Sequence, residues 1–158
     1  MNPVFQSGLR AYRDHRYEEA AADFRTAVSE DPQNPNYLYY LGCSLSELGK
    51  MEESVEVLSE ALKITDAIPI RYMRGEINMN RGLLSDAEDD FSSIIMHETA
   101  DNRYWVSLSY LNRGLLRLGT EQIDEALSDI TAAENLAHQE EDAVLLSRIS
   151  SVLEKNGF

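Results

Sequence analysis

The sequence predicts an all-α protein assembled from repeated antiparallel helix pairs, and three observations carry that prediction. Glycines recur at Gly8, Gly42, Gly75 and Gly114, spaced 34, 33 and 39 residues apart, and a period of that size is the mark of a stacked helical repeat. Around each glycine the same residue sizes return. Gly8 is followed by Ala20, Phe24 and Ala27, Gly42 by Ser54, Leu58 and Ala61, Gly75 by Ala87, Phe91 and Ile94, and Gly114 by Ala126, Ile130 and Ala133. Residues with little or no side chain let two helix backbones approach, and the ring or branched chain fills the gap left beside them. The third observation is the punctuation: His15-Arg16-Tyr17, Gly49-Lys50-Met51, Gly82-Leu83-Leu84 and Gly119-Thr120 fall between the paired segments, three of them with the glycine that commonly stops a helix.

Taken in order, the helices are expected at 3–14 and 18–30, 36–48 and 52–64, 69–81 and 85–98, and 102–118 and 121–138. They make repeats of about 1–34, 35–67, 68–106 and 107–140 within one domain spanning 1–158. Pro32 cannot continue a helix and so ends the second one. The longest spacing holds five extra residues within 98–106. With Asp101 as N-cap, they read as an additional turn on the following helix, so that Tyr104 and Trp105 project past the regular stack and the Trp packs on the preceding helix. The stretch 140–158 carries Val144, Leu145, Ile149, Val152 and Leu153 on one stripe and Asn156-Gly157 as its stop. It reads as a capping helix over 141–156, because a stack of repeats leaves the apolar face of its last member uncovered.

Two positions vary together among the repeats. The seventh runs Ser7, Leu41, Arg74, Arg113, and the twenty-third runs Asp23, Val57, Asp90, Asp129. Arginine goes with aspartate and leucine with valine, which predicts partly buried ion pairs Arg74–Asp90 and Arg113–Asp129 across their helix pairs.

Composition narrows the function. The net charge of −14 repels nucleic acid and anionic membranes, so neither is an expected partner. The lone Cys43 excludes an internal disulfide, and with no apolar leader or spanning segment it points to a cytoplasmic setting. No catalytic constellation is present. His15, His97 and His138 have no ligand spacing among them, and the run Asp86, Glu88, Asp89, Asp90 points to several faces of one helix without the loop of a calcium site. No metal site, cofactor or enzyme activity is expected.

The unit Met1–Asn34, with Gly8, Tyr12, Ala20, Phe24, Ala27 and Pro32, resembles the tetratricopeptide repeat. That resemblance implies a right-handed superhelical solenoid of four helix pairs closed by the capping helix. It also implies a concave face lined by the second, fifth, sixth, ninth and twelfth positions of each first helix. Carried over, these positions select Phe5, Leu9, Tyr12, Tyr39, Tyr40, Tyr72, Met73, Glu76, Met79, Leu111 and Leu115 as partner-binding residues. One subgroup of the family clamps acidic chaperone tails with Lys and Asn; Phe5, Leu9, Tyr40, Pro69 and Met73 stand at those places here, so that clamp is absent. The expected function is a protein-binding module or adaptor that takes an apolar, or mixed apolar and basic, segment of another protein in its groove. The size and repeat number are also similar to secretion chaperones of this fold. The alternative is a structural scaffold or homodimer whose groove is filled by its own terminal helix or by a second copy.

Overall fold

Two of the helix starts are written as Asn-Pro. Asn2 accepts hydrogen bonds from the backbone N–H of Val4 at 2.9 Å and Phe5 at 3.1 Å, and Asn34 accepts from Asn36 N–H at 3.2 Å. The following proline occupies a position whose N–H has no intrahelical partner. A computed structural model describes residues 2–158. The helices it contains are α1 (Pro3–Arg13), α2 (Tyr17–Glu30), α3 (Pro35–Glu47), α4 (Met51–Ile64), α5 (Ile68–Asn80), α6 (Leu84–Met96), α7 (Arg103–Gly119), α8 (Ile123–Gln139) and α9 (Ala143–Lys155), with one 3₁₀ turn at Ala100–Asn102. There are no strands among the described residues, and no helix is long and apolar enough to cross a membrane.

One turn geometry ends helix after helix. The N–H of Arg16, Lys50, Gln122 and Asp142 each donates back to the carbonyl five residues earlier at 2.9 Å. The residue before each donor, His15, Gly49, Glu121 or Glu141, sits at positive φ. This is the Schellman stop, which recovers carbonyls left unpaired at a helix end. Glycine meets its backbone demand at Gly49 and Gly82 only among the turns between paired helices. Gly119, read as a stop, is instead the last residue of α7, and Glu121 takes the left-handed conformation at φ 62°.

The chain divides into two compact units, one ending at Arg81 and the other running from Gly82 to Phe158. In the first, a Cβ placed on Gly8 would lie 2.7 Å from the Phe24 ring, and one on Gly42 would lie 2.7 Å from Leu58. The bare glycine backbone is therefore what sets how closely α1 meets α2 and α3 meets α4. Where the first pair has Ala20, the second has Ser54. Its buried hydroxyl donates to the Gly42 carbonyl at 2.6 Å, so the small position stays small and its polar atom stays satisfied. Ala11, Ala20, Ala21, Phe24, Leu41 and Leu45 form one core cluster, and Leu38, Leu58, Ala61, Ile70 and Ile77 another.

In the second unit Gly114 repeats the device, its would-be Cβ lying 2.9 Å from Ile130 and 3.2 Å from the Ala126 carbonyl. Helix α9 then packs on α7 and α8. Leu145 and Ile149 are buried with Leu111, Ile130, Ala133 and Ala137, and Leu146, Val152 and Leu153 close the edge of that cluster. Val144, placed on the same stripe from sequence, is 82% exposed, because it lies one residue before the face that Leu145 and Ile149 bury. The five extra residues do lengthen α7, but Asp101 is not its cap. Asp101 lies inside the 3₁₀ turn, which Thr99 and Asn102 close with a reciprocal capping box.

Candidate functional site

Phe5, Leu9 and Tyr12 are spaced so that the 3.6-residue period puts them on one side of α1. They are packed against the core cluster while remaining only partly buried. Helix α3 brings Tyr40 against the same surface, with ring centroids 5.6 Å from Phe5, 5.6 Å from Phe24 and 6.3 Å from Tyr12. Tyr39 stands edge-on to Tyr40 at 5.3 Å. The result is a continuous layer of rings, anchored on buried Phe24 and open on its other side. Tilted and edge-on contacts of this kind add about 0.5–1.5 kcal/mol per pair beyond area burial, so the layer holds its shape.

Two members of this layer were not among the residues selected from sequence. Tyr37 is 4.6 Å from Phe5, and Tyr17, at the start of α2, is 5.4 Å from Tyr12. Tyr17 also shares a 2.7 Å hydrogen bond with His15. Both fall outside the positions carried over from the family pattern. The density of tyrosine around 37–40 was the signal that could have found Tyr37.

The chemistry of the layer is that of neutral groups. Burial pushes the Cys43 thiol up to about 11, partly offset by its hydrogen bond with Tyr39. Burial, with the nearby Cys43 and, for Tyr12, Glu47, raises the Tyr12 and Tyr39 hydroxyls well above the ordinary phenol range. Around neutral pH these groups donate and accept hydrogen bonds and carry no charge, which suits contact rather than nucleophilic work. Among the described residues, no group of three or more His, Cys, Asp or Glu is arranged to hold a metal ion.

Further along the first unit, Tyr72, Met73, Glu76 and Met79 lie on α5. Met73, Glu76 and Met79 are partly buried. Tyr72 differs from the expectation of an open anchor: it is only 6% exposed, and its hydroxyl donates to Glu76 Oε1 at 2.8 Å. The helix turns its ring into the packing and leaves the carboxylate at the rim.

The second unit departs further from the residues selected in sequence. Leu111 is wholly buried, and Leu115 is packed against the cluster that α9 completes. The terminal helix covers this side of α7, and Arg148 of α9 donates to Asn112 Oδ1 at 3.3 Å. Beside it stands the ion pair read from the repeats. Arg113 grips Asp129 through two bonds of 2.9 and 2.7 Å and donates to Ser92 Oγ at 3.0 Å, with its guanidinium 5.5 Å from the Tyr110 ring. Arg117, not anticipated, adds a 2.9 Å bond to Asp129 and two bonds, of 3.0 and 2.7 Å, to Glu88. Asp129 holds its Arg113 partner's guanidinium firmly protonated.

Antiparallel pairs seated on glycine, with Schellman turns ending α1, α3, α7 and α8, define a helical-repeat protein. The comparison with known proteins narrows this further: residues 5–69 match the model of the tetratricopeptide repeat family, so that stretch carries tetratricopeptide repeats. The chain is 28% identical over 119 residues to DnaJ homolog subfamily C member 3 of Bos taurus, a match covering 73% of this chain and 24% of that protein. The Homo sapiens protein of the same name is 27% identical over 85 residues, covering 53% and 17%. The match thus spans about a quarter or less of these relatives' length. Among solved structures, YrrB, described as a TPR protein with an unusual peptide-binding site, superposes with a TM-score of 0.77 at 20% identity, covering 94% of this chain and 73% of its own. MamA from Desulfovibrio magneticus RS-1 does so with a TM-score of 0.76 at 17% identity, covering 98% and 93%.

Proposed function

We propose that this chain is a binding module whose ring layer on α1 and α3 receives an apolar segment of another protein, flanked by lysine or arginine. One observation carries the reading: Phe5 and Tyr40 rest on buried Phe24, Tyr12 and Tyr39 pack against Tyr40, and all four stay only partly buried. Rigid aromatics with a polar tip are the side chains most often found as interface anchors. Leu9 packs on the same core cluster as Phe5 and Tyr12, while Met73 and Met79 on α5 offer a more adaptable surface. Glu76 and the overall charge of −14 favour a basic flank on the ligand, speeding encounter, while apolar contact sets the residence time. The same charge disfavours nucleic acid and anionic membrane as partners. YrrB's description as a peptide-binding TPR protein is consistent with this role for the scaffold.

The test is a partner isolated by affinity capture and then measured by calorimetry against the parent and against Tyr39→Ala. Loss of an anchor should weaken binding by on the order of 1–3 kcal/mol with little change of stability, and raising salt should weaken it only modestly. Equal affinity for the variant, or a partner that maps to α2 and α4, would reject the reading.

The scaffold reading keeps one observation of its own. Within the second unit α9 already covers Leu111 and Leu115. Those two residues are therefore withdrawn from the proposed surface, and self-covering by the terminal helix is proposed for that unit alone. An oligomer would show as a concentration-dependent mass in light scattering.

A further inference from the structure

Glu47 is the last residue of α3 and follows Tyr39 and Cys43 at steps of four, so the three lie along one side of that helix. That side meets the start of α2. Tyr17, the first residue of α2, stands edge-on to Tyr12 of α1 at 5.4 Å and shares a 2.7 Å hydrogen bond with His15 Nδ1. The Tyr17 hydroxyl also faces the Glu47 carboxylate: burial first, then the charge of Glu47 and a hydrogen bond to it, raise that hydroxyl above the ordinary phenol range. The same charge is felt at Tyr12 and at buried Cys43.

The carboxylate itself is exposed. Among the described residues no lysine or arginine pairs with it, and Arg16, at the turn between α1 and α2, is taken by Asp14 and Glu19. An open anion beside two phenol rings attracts a cation, because the charge supplies the main attraction and the rings add to it. The negative end of the α3 dipole falls at the same place and favours the same sign of ligand. The second unit shows which cation such a pairing accepts. There Arg113 bonds both oxygens of Asp129, at 2.9 and 2.7 Å, with its guanidinium 5.5 Å from the Tyr110 ring. A guanidinium is planar and can fork onto a carboxylate while it lies against a ring; an ammonium acts only as a point charge.

We infer that Glu47, with Tyr12 and Tyr17, seats one arginine side chain of the protein segment that the ring layer binds. The inference rests on the ring-layer reading and gives the ligand a direction. Tyr39 and Glu47 are eight residues apart on α3, so the arginine sits about 12 Å from Tyr39 along the helix, on the side of its C-terminal end.

A random peptide library is selected on the full chain and on Glu47→Gln, a change at an exposed position. The parent should enrich peptides that carry apolar residues with an arginine to one side, and the arginine should disappear from the peptides that Glu47→Gln selects. One peptide from the parent selection is then synthesised with arginine, citrulline or lysine at that place and titrated by calorimetry. Citrulline keeps the shape and loses the charge. On the parent it should weaken binding about fivefold, as expected when an exposed ion pair and a ring contact are lost together; on Glu47→Gln the arginine and citrulline peptides should bind alike. Four results overturn the inference and leave the ring layer standing: apolar enrichment without arginine, arginine that persists on Glu47→Gln, a citrulline effect that survives that substitution or follows Glu76→Gln instead, and lysine binding as tightly as arginine. A parent that enriches no apolar residue defeats the ring-layer reading, and this inference with it.

Discussion

Replacing Asp129 with alanine should destabilise the second unit by about 3 kcal/mol, near the low end of the 3–5 kcal/mol typical when one partner is removed from a buried ion pair. The magnitude follows from who is left behind. The Asp129 side chain is 5% exposed and accepts from two guanidiniums that are themselves 15% and 20% exposed. Arg117 keeps its two bonds to Glu88, so it is not orphaned. Arg113 keeps only Ser92 and the Tyr110 ring, and supplies most of the loss. Urea unfolding followed by Trp105 fluorescence reads this directly, because the single tryptophan lies in the affected unit. The companion is Arg113→Met with Asp129→Leu, which removes the charge and its partner together and should recover most of the lost stability. If Asp129→Ala falls within about 0.5 kcal/mol of the parent, or if the double variant is no more stable than the single one, the pair is not what holds α7 to α8.

Three further outcomes are expected. Gly42→Ala should cost up to about 2 kcal/mol in a denaturant titration monitored by circular dichroism. Overpacking against the wholly buried Leu58 costs about 1–3 kcal/mol, and the better helix propensity of alanine returns about 1 kcal/mol. Stability should also fall as pH rises past 9. The Cys43 thiol is raised from an ordinary value near 8.5 to about 11, so its contribution is full below the lower value and is lost as pH climbs through the upper one. Tyr12 and Tyr39, raised in the same direction from an ordinary phenol value near 10, should add to the loss from about pH 10 upward; Cys43→Ala should show a shallower decline between pH 9 and 11, and an identical profile would refute the assignment. Removal of 140–158 should expose the Leu111–Ala133–Ala137 face, giving aggregation or a markedly lower melting temperature by calorimetry, whereas an unchanged melting curve would show that α9 is not a cap.

Much of the fold was legible because its decisive contacts are short in sequence. Gly8 meets Phe24, Gly42 meets Leu58 and Gly114 meets Ile130 at a nearly constant offset, so repetition alone exposes them. Arg113–Asp129 could be read for the same reason: both positions vary together within one chain. Arg117, Ser92 and Glu88 escaped because they enter that network from other positions and, for the latter two, from α6, where no repeated partner marks them. The stop at Glu121 was misread because a left-handed glutamate carries no signature of its own, while nearby Gly119 carries a false one. In the candidate site, carried-over positions say which face a residue occupies but not whether something covers it. Leu111 and Leu115 lie under α9, and Tyr72 turns inward to Glu76, for reasons of tertiary packing that spacing does not encode. Tyr17 and Tyr37 stand outside the carried-over positions and join the ring layer only because α2 and α3 bring them alongside Tyr12 and Phe5.

Within each unit every substantial helix contact joins helices that are adjacent or next but one along the chain, from α1 with α2 to α8 with α9. No long loop has to be closed before a contact stabilises the fold, so the entropic cost of the folding nucleus is small and any pair can serve as that nucleus. The same locality grades the native state. The first turn of α1 and the end of α9 can open without disturbing the interior pairs, so amide exchange should slow stepwise from each terminus inward, and a ligand seated on α1 and α3 would be felt as added protection at the N-terminal helices first.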